Sequence, residues 1–320
     1  MRYGQDINGY RVVTQPSNQN AGKCVWAFAE RDGKEFFIKE FLDPKIPRTD
    51  GMGSVEDKQR RFAECARFEA WHHNLRTLLR PDDERAGNLV LAVDFFPKDS
   101  RFYKVTRRIH GAEVIPHRLT PDQQRVLLCT LADSLQLLHD KGFVHGDLKP
   151  ENVLPHRPEH SDFYTAKLID FDDAYLAGQP PPREEIGGDP RYGAPEWLRY
   201  LQGDETVEAA GLTQAADVFA FALLIHTYLF GALPSHDTAH DSPAAAVAAG
   251  APLVWDSRAG AGLVTLLDAL TQPDPAARPS MASAAEVLAS PALFATAAPS
   301  RVRINLNGRR PTDGRTDSDT

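Results

Sequence analysis

Two short polar segments stand out in the sequence because they place acidic, amide and lysine side chains between apolar runs. The first reads FVHGDLKPENVL and carries Asp147, Lys149 and Asn152, and the second reads LIDFDDAY and carries Asp170. Carboxylate and amide oxygens are the hard ligands that Mg²⁺ accepts, usually together with the phosphates of a substrate. The pattern therefore predicts a site that handles a metal-bound phosphate.

Transfer of a phosphoryl group between oxygens assigns a role to each of these residues. The protein must neutralise the phosphates with metal ions, orient the acceptor hydroxyl and place cations near the transferring oxygens. We expect Asn152 and Asp170 to hold the metal, at either end of a short hairpin flanked by NVL and KLIDF. We expect Asp147 to accept a hydrogen bond from the attacking hydroxyl, and Lys149 to reach the phosphate that moves.

The elements that must position these residues change in character along the chain. From Tyr10 to about residue 41, alternating apolar residues and turns predict antiparallel strands. A helix over about residues 55–80 and two further strands complete a small first lobe. The sequence after Gly111 is mainly helical.

Two helices of this second part have clear sequence signals. One begins with Thr120 as N-cap and Gln123 completing a capping box, and Gly142 ends it. The other, over residues 213–230, is apolar nearly all round and should lie at the centre of the second lobe. We predict an α+β fold with lobes at residues 8–109 and 110–295, and a flexible polar tail at 296–320.

Taken in order, these motifs resemble the protein kinase family, in particular the eukaryotic-like (Hanks-type) Ser/Thr kinases of bacteria. HGDLKPENVL is similar to the catalytic loop, DFD at 170–172 to the metal-binding triplet, and APE at 194–196 to the end of the activation segment. Asp217 and Arg278 match structural positions, and the resemblance implies that Arg278 pairs with Glu196. It also implies a two-lobed fold, with a small antiparallel sheet and one main helix in the N-lobe and a larger, mainly helical C-lobe.

The resemblance further implies a nucleotide site in the first lobe. Lys39 in IKEF is at the position of the strand lysine that holds the nucleotide phosphates, and Thr106 is at the gatekeeper position behind the adenine. Either Glu69 or Glu64 orients Lys39, since one helix cannot direct both at it, and we favour Glu69 because it leaves the shorter loop. Gly22 is the only glycine of QPSNQNAGKCVW, the segment in place of the family's glycine-rich phosphate loop.

Four residues depart from the family pattern near this site. Phe37 replaces a small alanine of the adenine pocket, and Asp172 replaces the glycine of the metal-binding triplet. Gly146 stands where an arginine usually binds an activation-loop phosphate, and Asp189 stands where a threonine usually bridges the catalytic aspartate and lysine. Residues 173–195 contain neither serine nor threonine. We therefore expect activity without Ser/Thr phosphorylation of that segment.

Composition argues against several other classes of protein. The 36 basic and 44 acidic residues give a net charge of −8, and no basic stripe offers a track for a nucleic acid. Cys24, Cys65 and Cys129 show neither a disulfide framework nor zinc-ligand spacing. The longest apolar run, at residues 218–225, is too short to cross a bilayer, and the N-terminus lacks the apolar core of a signal peptide. We expect a cytoplasmic protein without a membrane segment.

These observations favour a protein serine/threonine kinase that transfers the γ-phosphoryl group of ATP, with Mg²⁺, to Ser or Thr hydroxyls of protein substrates. KPEN after the catalytic aspartate favours serine or threonine over tyrosine. Two alternatives stay open. A small-molecule phosphotransferase of the aminoglycoside or choline kinase type shares HGDL and IDFDDA, and a pseudokinase would keep the fold as a binding or scaffold module.

Overall fold

The computed structural model describes residues 1–19, 22, 24–48, 54–79 and 87–294. The predicted tail at 296–320 and the last residue of the predicted second lobe lie outside these ranges. Within them, an antiparallel sheet with one long helix is followed by a mainly helical region. The predicted α+β, two-lobed fold is therefore confirmed.

The sheet of the first lobe alternates between two faces. Its strands are β1 (Asp6–Ile7), β2 (Tyr10–Val12), β3 (Cys24–Arg31), β4 (Lys34–Phe41), β5 (Ala92–Lys98) and β6 (Arg101–Arg107). They lie in the order β1-β2-β3-β4-β6-β5. Ile38 and Val105 are fully buried on one face, and successive side chains of a strand point to opposite faces. Lys39, the next residue after Ile38, therefore faces the other side.

One strand of this sheet begins later than predicted. The apolar run NLVLAVDFF predicted a strand from its first residues, whereas β5 begins at Ala92. The backbone N–H of Val90 instead donates to the carbonyl of Leu168 in the second lobe, at 2.9 Å. The start of the run thus connects the two lobes.

The long helix α1 (Val55–Leu78) packs an aromatic face against the sheet. Ser54 caps it by accepting a hydrogen bond from the backbone N–H of Asp57. Phe68 contacts Phe41 edge to face, with ring centroids 5.0 Å apart, and His72 stacks on Phe95 at 4.2 Å. This packing fixes the side of α1 that faces β4.

The second lobe is built around two of its helices. These are α2 (Pro121–Asp140) and α4 (Ala215–Phe230), followed in the chain by α5 (Pro243–Ala248), α6 (Ala261–Leu270) and α7 (Met281–Leu288), with α3 (Pro195–Leu201) before α4. The predicted capping box of Thr120 and Gln123 is confirmed. Residues of α4 are buried nearly all round, as predicted. No helix formed by the described residues is long and apolar enough to cross a membrane.

Short antiparallel pairs carry the segments that the sequence singled out. The strands β7 (Phe143–Val144) and β10 (Tyr175–Leu176) pair with each other, and β8 (Val153–His156) pairs with β9 (Thr165–Leu168). Asn152 directly precedes β8, and Asp170 follows β9 after one residue. The prediction that these two residues lie at either end of a short hairpin is confirmed.

Candidate active site

A buried histidine and a buried aspartate hold the loop between β7 and β8 through hydrogen bonds. His145 Nε2 donates to the carbonyl of Ile169 at 3.1 Å, and its Nδ1 accepts from the backbone N–H of Asp147. Asp217 accepts from the backbone N–H of His145 at 2.7 Å and from Gly146 at 3.2 Å. These bonds fix the backbone on both sides of the Asp147 side chain.

Asp217 remains ionised although it is fully enclosed. Burial alone would raise its pKa, but a 2.9 Å hydrogen bond from His139 Nε2 and the loop N–H groups lower it below its ordinary value. A charged acceptor binds N–H groups more strongly than a neutral one. Asp217 therefore acts as a rigid anchor for the loop.

The carboxylate of Asp147 has one occupied oxygen and one without a partner. Its Oδ2 forms an ion pair with Lys149 Nζ at 2.6 Å and accepts a hydrogen bond from Asn152 Nδ2 at 2.9 Å. Its Oδ1 is buried and has no hydrogen-bond partner among the described residues. A buried acceptor without a donor is costly, so this atom calls for a functional explanation. Asp147 also lines a small cavity together with Tyr192 and Gly193.

Asn152 and Asp170 are brought together by the hairpin of β8 and β9. The backbone N–H of Ile169 donates to the carbonyl of Asn152 at 3.0 Å. Asn152 uses its amide nitrogen to bind Asp147, which leaves its side-chain oxygen as a potential ligand. Asp170 has a left-handed backbone with φ of 60°, an uncommon conformation that aspartate adopts more readily than most non-glycine residues. This donor set of hard oxygens fits a divalent cation such as Mg²⁺.

Lys39 reaches across from β4 to this hairpin. Its Nζ donates to Oδ1 of Asp170 at 2.8 Å, to Oδ2 of Asp170 at 2.9 Å and to Oδ2 of Asp172 at 2.8 Å. Burial alone would lower the pKa of Lys39, but these two carboxylates raise it above its ordinary value. The lysine is therefore held as a cation at the boundary of the two lobes.

A second buried lysine, which the sequence analysis missed, joins the same cluster. Lys104 on β6 lies opposite Lys39 in the register of the sheet and donates to both Asp170 and Asp172. Burial alone would raise the pKa of Asp172, but Lys104, Lys39 and His72 lower it well below its ordinary value. The available signal was a lysine in the middle of the strand RFYKVTR, two residues from a buried phenylalanine on the same face.

The expected ion pair between Glu69 and Lys39 is absent from this structure, and Glu64 does not replace it. Neither residue lies within ion-pair distance of Lys39, although all of α1 is among the described residues. The helix instead turns Cys65, Phe68 and His72 toward the sheet, where they pack with the rings of β4, β5 and β6. In this structure the aromatic packing of α1, rather than an ion pair, accompanies its rotation, and the role of Glu69 stays a prediction.

Aromatic rings stand on the face of the sheet that carries Lys39. Phe37 stacks on Trp26 with ring centroids 5.5 Å apart, and Thr106 lies opposite Phe37 in the strand register. Trp26 Nε1 donates to the carbonyl of Gln19, so the indole holds part of the segment QPSNQNAGKCVW in place of the glycine-rich loop. Gly22 is exposed with a left-handed φ of 53°. Phe37 therefore makes this face of the sheet bulkier and more aromatic than an alanine would.

Steric crowding explains why glycine occupies position 146, where the family usually has an arginine. Gly146 has φ of 79°, and a Cβ on it would lie 2.4 Å from the carbonyl oxygen of Asp173. Burial raises the pKa of the Asp173 carboxyl to about 6, and the negative charges of nearby aspartates, Asp147 foremost, act in the same direction. No larger side chain fits at this position without moving the chain after the DFD triplet.

The segment after this triplet is held in place by an ion pair and a hydrogen bond from its own and neighbouring side chains. Asp189 binds Arg191 through both carboxylate oxygens, at 3.1 and 2.8 Å, rather than Lys149. Trp197 Nε1 donates to the carbonyl of Gly187 at 2.9 Å, and the ring lies against Gly188 and Gly193. The contacts are supplied by side chains of the chain itself.

A buried ion pair connects the end of that segment to the region between α6 and α7 of the second lobe. Arg278 binds both oxygens of Glu196, at 2.7 and 2.9 Å, and also donates to the carbonyls of Ala215 and Gln272. The predicted pairing of Arg278 with Glu196 is confirmed. Bidentate geometry and the added carbonyl bonds satisfy a charge that burial would otherwise penalise.

Comparison with known proteins points to one family. The family described as "Protein kinase domain" matches residues 20–291 of this chain. The chain is 27% identical over 253 residues to the MAP kinase-interacting serine/threonine-protein kinase mnk-1 of Caenorhabditis elegans, which covers 70% of this chain and 33% of that protein.

Two further relatives come from a bacterium and from human. Identity is 31% over 204 residues to the serine/threonine-protein kinase pkn2 of Myxococcus xanthus, covering 61% of this chain and 24% of the relative. It is 30% over 152 residues to the human serine/threonine-protein kinase D3, covering 44% of this chain and 15% of the relative. The chain thus spans a third or less of the length of these relatives.

Proposed function

The chain belongs to the protein kinase family, and from that membership we propose that it transfers the γ-phosphoryl group of ATP to serine or threonine hydroxyls of proteins. The family uses ATP with a divalent metal, and we propose Mg²⁺ as that metal. The names of the relatives, all serine/threonine-protein kinases, support the choice of acceptor. The site would lie between an N-lobe at residues 8–109 and a C-lobe at 110–295.

The observation that carries the proposal is the unpartnered Oδ1 of Asp147. It is buried in a loop whose backbone is fixed by Asp217 and His145, while the other oxygen is already bound by Lys149 and Asn152. An acceptor of this kind can take the hydrogen bond of an incoming hydroxyl and orient its oxygen toward the phosphorus. Asp147 is therefore assigned to the acceptor hydroxyl.

The remaining residues divide the work of holding the nucleotide. Asp170 and the side-chain oxygen of Asn152 would hold the metal, which neutralises charge on the phosphates when bound. Lys39 would bind the α and β phosphates, and Lys149 would neutralise charge on the γ-phosphoryl group as it moves. Thr106 and Gly22 would border the adenine and the phosphates, respectively.

The structure favours a protein acceptor over a small alcohol. The buried pair of Arg278 and Glu196 fastens the segment that ends in APE and leads into α3. We infer that this fastened segment, which follows the DFD triplet, positions an extended protein chain near Asp147. A small-molecule phosphotransferase has no need of such a segment.

We further propose that this activity requires no Ser/Thr phosphorylation of residues 173–195. Gly146 leaves no arginine to bind a phosphate there, and the Asp189–Arg191 ion pair and Trp197 already fasten the segment. The ion pair of Asp189 and Arg191 would order residues 173–195 in the way that a bound phosphate group orders other loops.

The experiment is a transfer assay with radiolabelled γ-phosphate. The purified chain is incubated with ATP and Mg²⁺ in the presence of mixed protein substrates, or of choline and an aminoglycoside, followed by phosphoamino acid analysis. We expect label on serine and threonine of protein, and its loss on chelation of the metal. Label on the small alcohols alone, or nucleotide binding without any transfer, would contradict the proposal.

A further inference from the structure

The register of the sheet places two lysines side by side in a buried position. Lys39 on β4 and Lys104 on β6 are directly opposite each other, so both side chains project from the same face. Their exposed fractions are only 6% and 7%. Like charges in this arrangement repel and lose hydration, so both need anionic partners close by.

Both lysines obtain their partners from the DFD triplet. Asp170 Oδ1 lies 2.8 Å from Lys39 Nζ and 3.2 Å from Lys104 Nζ. Asp172 bridges the pair, with Oδ2 at 2.8 Å from Lys39 Nζ and Oδ1 in a hydrogen bond to Lys104 Nζ. Two cations and two anions therefore form a closed cluster in which Asp172 touches both lysines with separate oxygens.

The helix that packs beside this cluster offers it no carboxylate. The side of α1 turned toward the sheet carries Cys65, Phe68 and His72, which contact Phe41 and its aromatic neighbours. The two glutamates considered from the sequence are not in ion-pair contact with Lys39, within the described part of the chain. The ammonium of Lys39 is thus positioned entirely from the DFD triplet.

We propose that Asp172, itself anchored by Lys104, is the positioning residue for Lys39 in place of a carboxylate from α1. The inference rests on the proposed function, because it concerns how Lys39 is presented to nucleotide phosphates. Asp170 is assigned to the metal and cannot also remain fully bound to Lys39. Asp172 is the carboxylate left to hold the lysine, and Lys104 compensates the charge that an aspartate in this place of the triplet adds.

The test compares variants that do not change the net charge of the cluster. The combined Asp172→Asn and Lys104→Met changes remove the positioning pair and leave Lys39 with Asp170. Asp172→Glu keeps every charge but moves the carboxylate by one methylene. It supplies a second test of the same idea if the double variant does not fold. Arg157→Met with Asp162→Asn removes an exposed ion pair elsewhere and is the matched control. Glu69→Gln tests the rival carboxylate of α1.

Two readouts are taken for each variant: the dissociation constant of Mg²⁺ and a non-hydrolysable ATP analogue by titration, and kcat and KM for ATP. We expect the double variant and Asp172→Glu to raise Kd and KM at least about tenfold, with a much smaller change in kcat. This split follows because Lys39 binds phosphates alike in the ground state and the transition state. The control pair should keep Kd and KM near those of wild type. Glu69→Gln should raise them less than the double variant or Asp172→Glu does.

The outcomes separate the positioning role of Asp172 and Lys104 from the proposed phosphoryl-transfer function. A double variant within about twofold of wild type in Kd, or a Glu69→Gln change as large as that of the double variant, overturns the role of Asp172 and Lys104. Wild-type protein that binds the analogue but transfers no phosphate overturns the proposed function alone, since the Kd comparison still tests the positioning pair. Wild-type protein without nucleotide affinity overturns both.

Discussion

The Nζ of Lys39 lies 2.8 Å from Oδ1 of Asp170, although the two residues are 131 positions apart in the sequence. The pair joins β4 of the first lobe to the turn after β9 in the second. It brings the lysine assigned to the phosphates next to the carboxylate assigned to the metal. Lys39 is buried and the Asp170 side chain is partly exposed, and their ion pair joins the lobes at the place where a nucleotide would bind.

Gly146 should tolerate no side chain. We expect Gly146→Ala to lower the free energy of unfolding by at least about 2 kcal/mol, since it adds left-handed strain to a clash with the Asp173 carbonyl. Gly142→Ala is the matched control, because its φ of 80° is nearly the same but no atom lies within 4 Å of the added Cβ. Urea unfolding of both variants measures the difference. Equal losses would show that the close contact with Asp173 is not a constraint.

The buried pair of Glu196 and Arg278 should be strongly coupled. Arg278→Met leaves a buried carboxylate and two carbonyls unpaired, so we expect a loss of about 3–5 kcal/mol in the free energy of unfolding. Glu196→Gln with Arg278→Met should lose clearly less than the sum of the single changes. A double-mutant cycle by denaturant unfolding gives the coupling, and simple additivity would speak against the pair.

His226 should make stability depend on pH. Its Nδ1 donates to the carbonyl of Ala232 at 2.8 Å, and its Nε2 accepts from the N–H of Asp256 at 3.0 Å. Burial lowers its pKa below 6.5, although the hydrogen bond to Ala232 acts in the opposite direction. As pH falls below 6.5 the unfolded imidazole takes up a proton before the folded one does, so the wild type loses stability.

The comparison for this prediction is His226→Gln, which has no titrating group. We expect wild type to be more stable by about 1–3 kcal/mol at pH 8, with the advantage shrinking between pH 6.5 and 5. The neighbouring Asp256 has a pKa of about 2 and stays charged over this range. Urea unfolding at several pH values measures the difference. An advantage that stays constant down to pH 5 would mean that both forms of the imidazole are equally well accommodated.

Phosphatase treatment should leave the activity intact. Residues 173–195 offer no Ser or Thr, and Asp189 and Arg191 already fasten the segment by an ion pair. Transfer rates before and after treatment, with phosphosites mapped by mass spectrometry, check the prediction. Loss of activity together with loss of a phosphate from this segment would refute it.

The features that the sequence predicted are set by local structure or by a family pattern. The capping box of Thr120 and Gln123 involves neighbouring residues, and so does the hairpin that starts after Asn152 and ends before Asp170. The resemblance to the protein kinase family implied the long-range pairing of Arg278 with Glu196. In each case a short segment or a family pattern specifies the contact without knowledge of how helices are rotated.

The parts that the sequence did not predict depend on tertiary packing. The rotation of α1, which decides whether Glu69 or Glu64 faces Lys39, is fixed by aromatic contacts such as Phe68 with Phe41. The partnership of Lys104 with Asp172 depends on the register of β4 against β6 and on the docking of the second lobe. Neither can be read from the spacing of residues along the chain.

The most direct test of the account is the rate of phosphoryl transfer from ATP to protein by wild type and by Asp147→Asn, measured at saturating ATP with Mg²⁺. The variant keeps the size of the side chain but removes the charge whose free oxygen is assigned to the acceptor hydroxyl. We predict that kcat falls at least about a hundredfold, near 2.7 kcal/mol of barrier, while the unfolding transition and nucleotide affinity are kept. A kcat equal to that of the wild type would contradict the central role of Asp147.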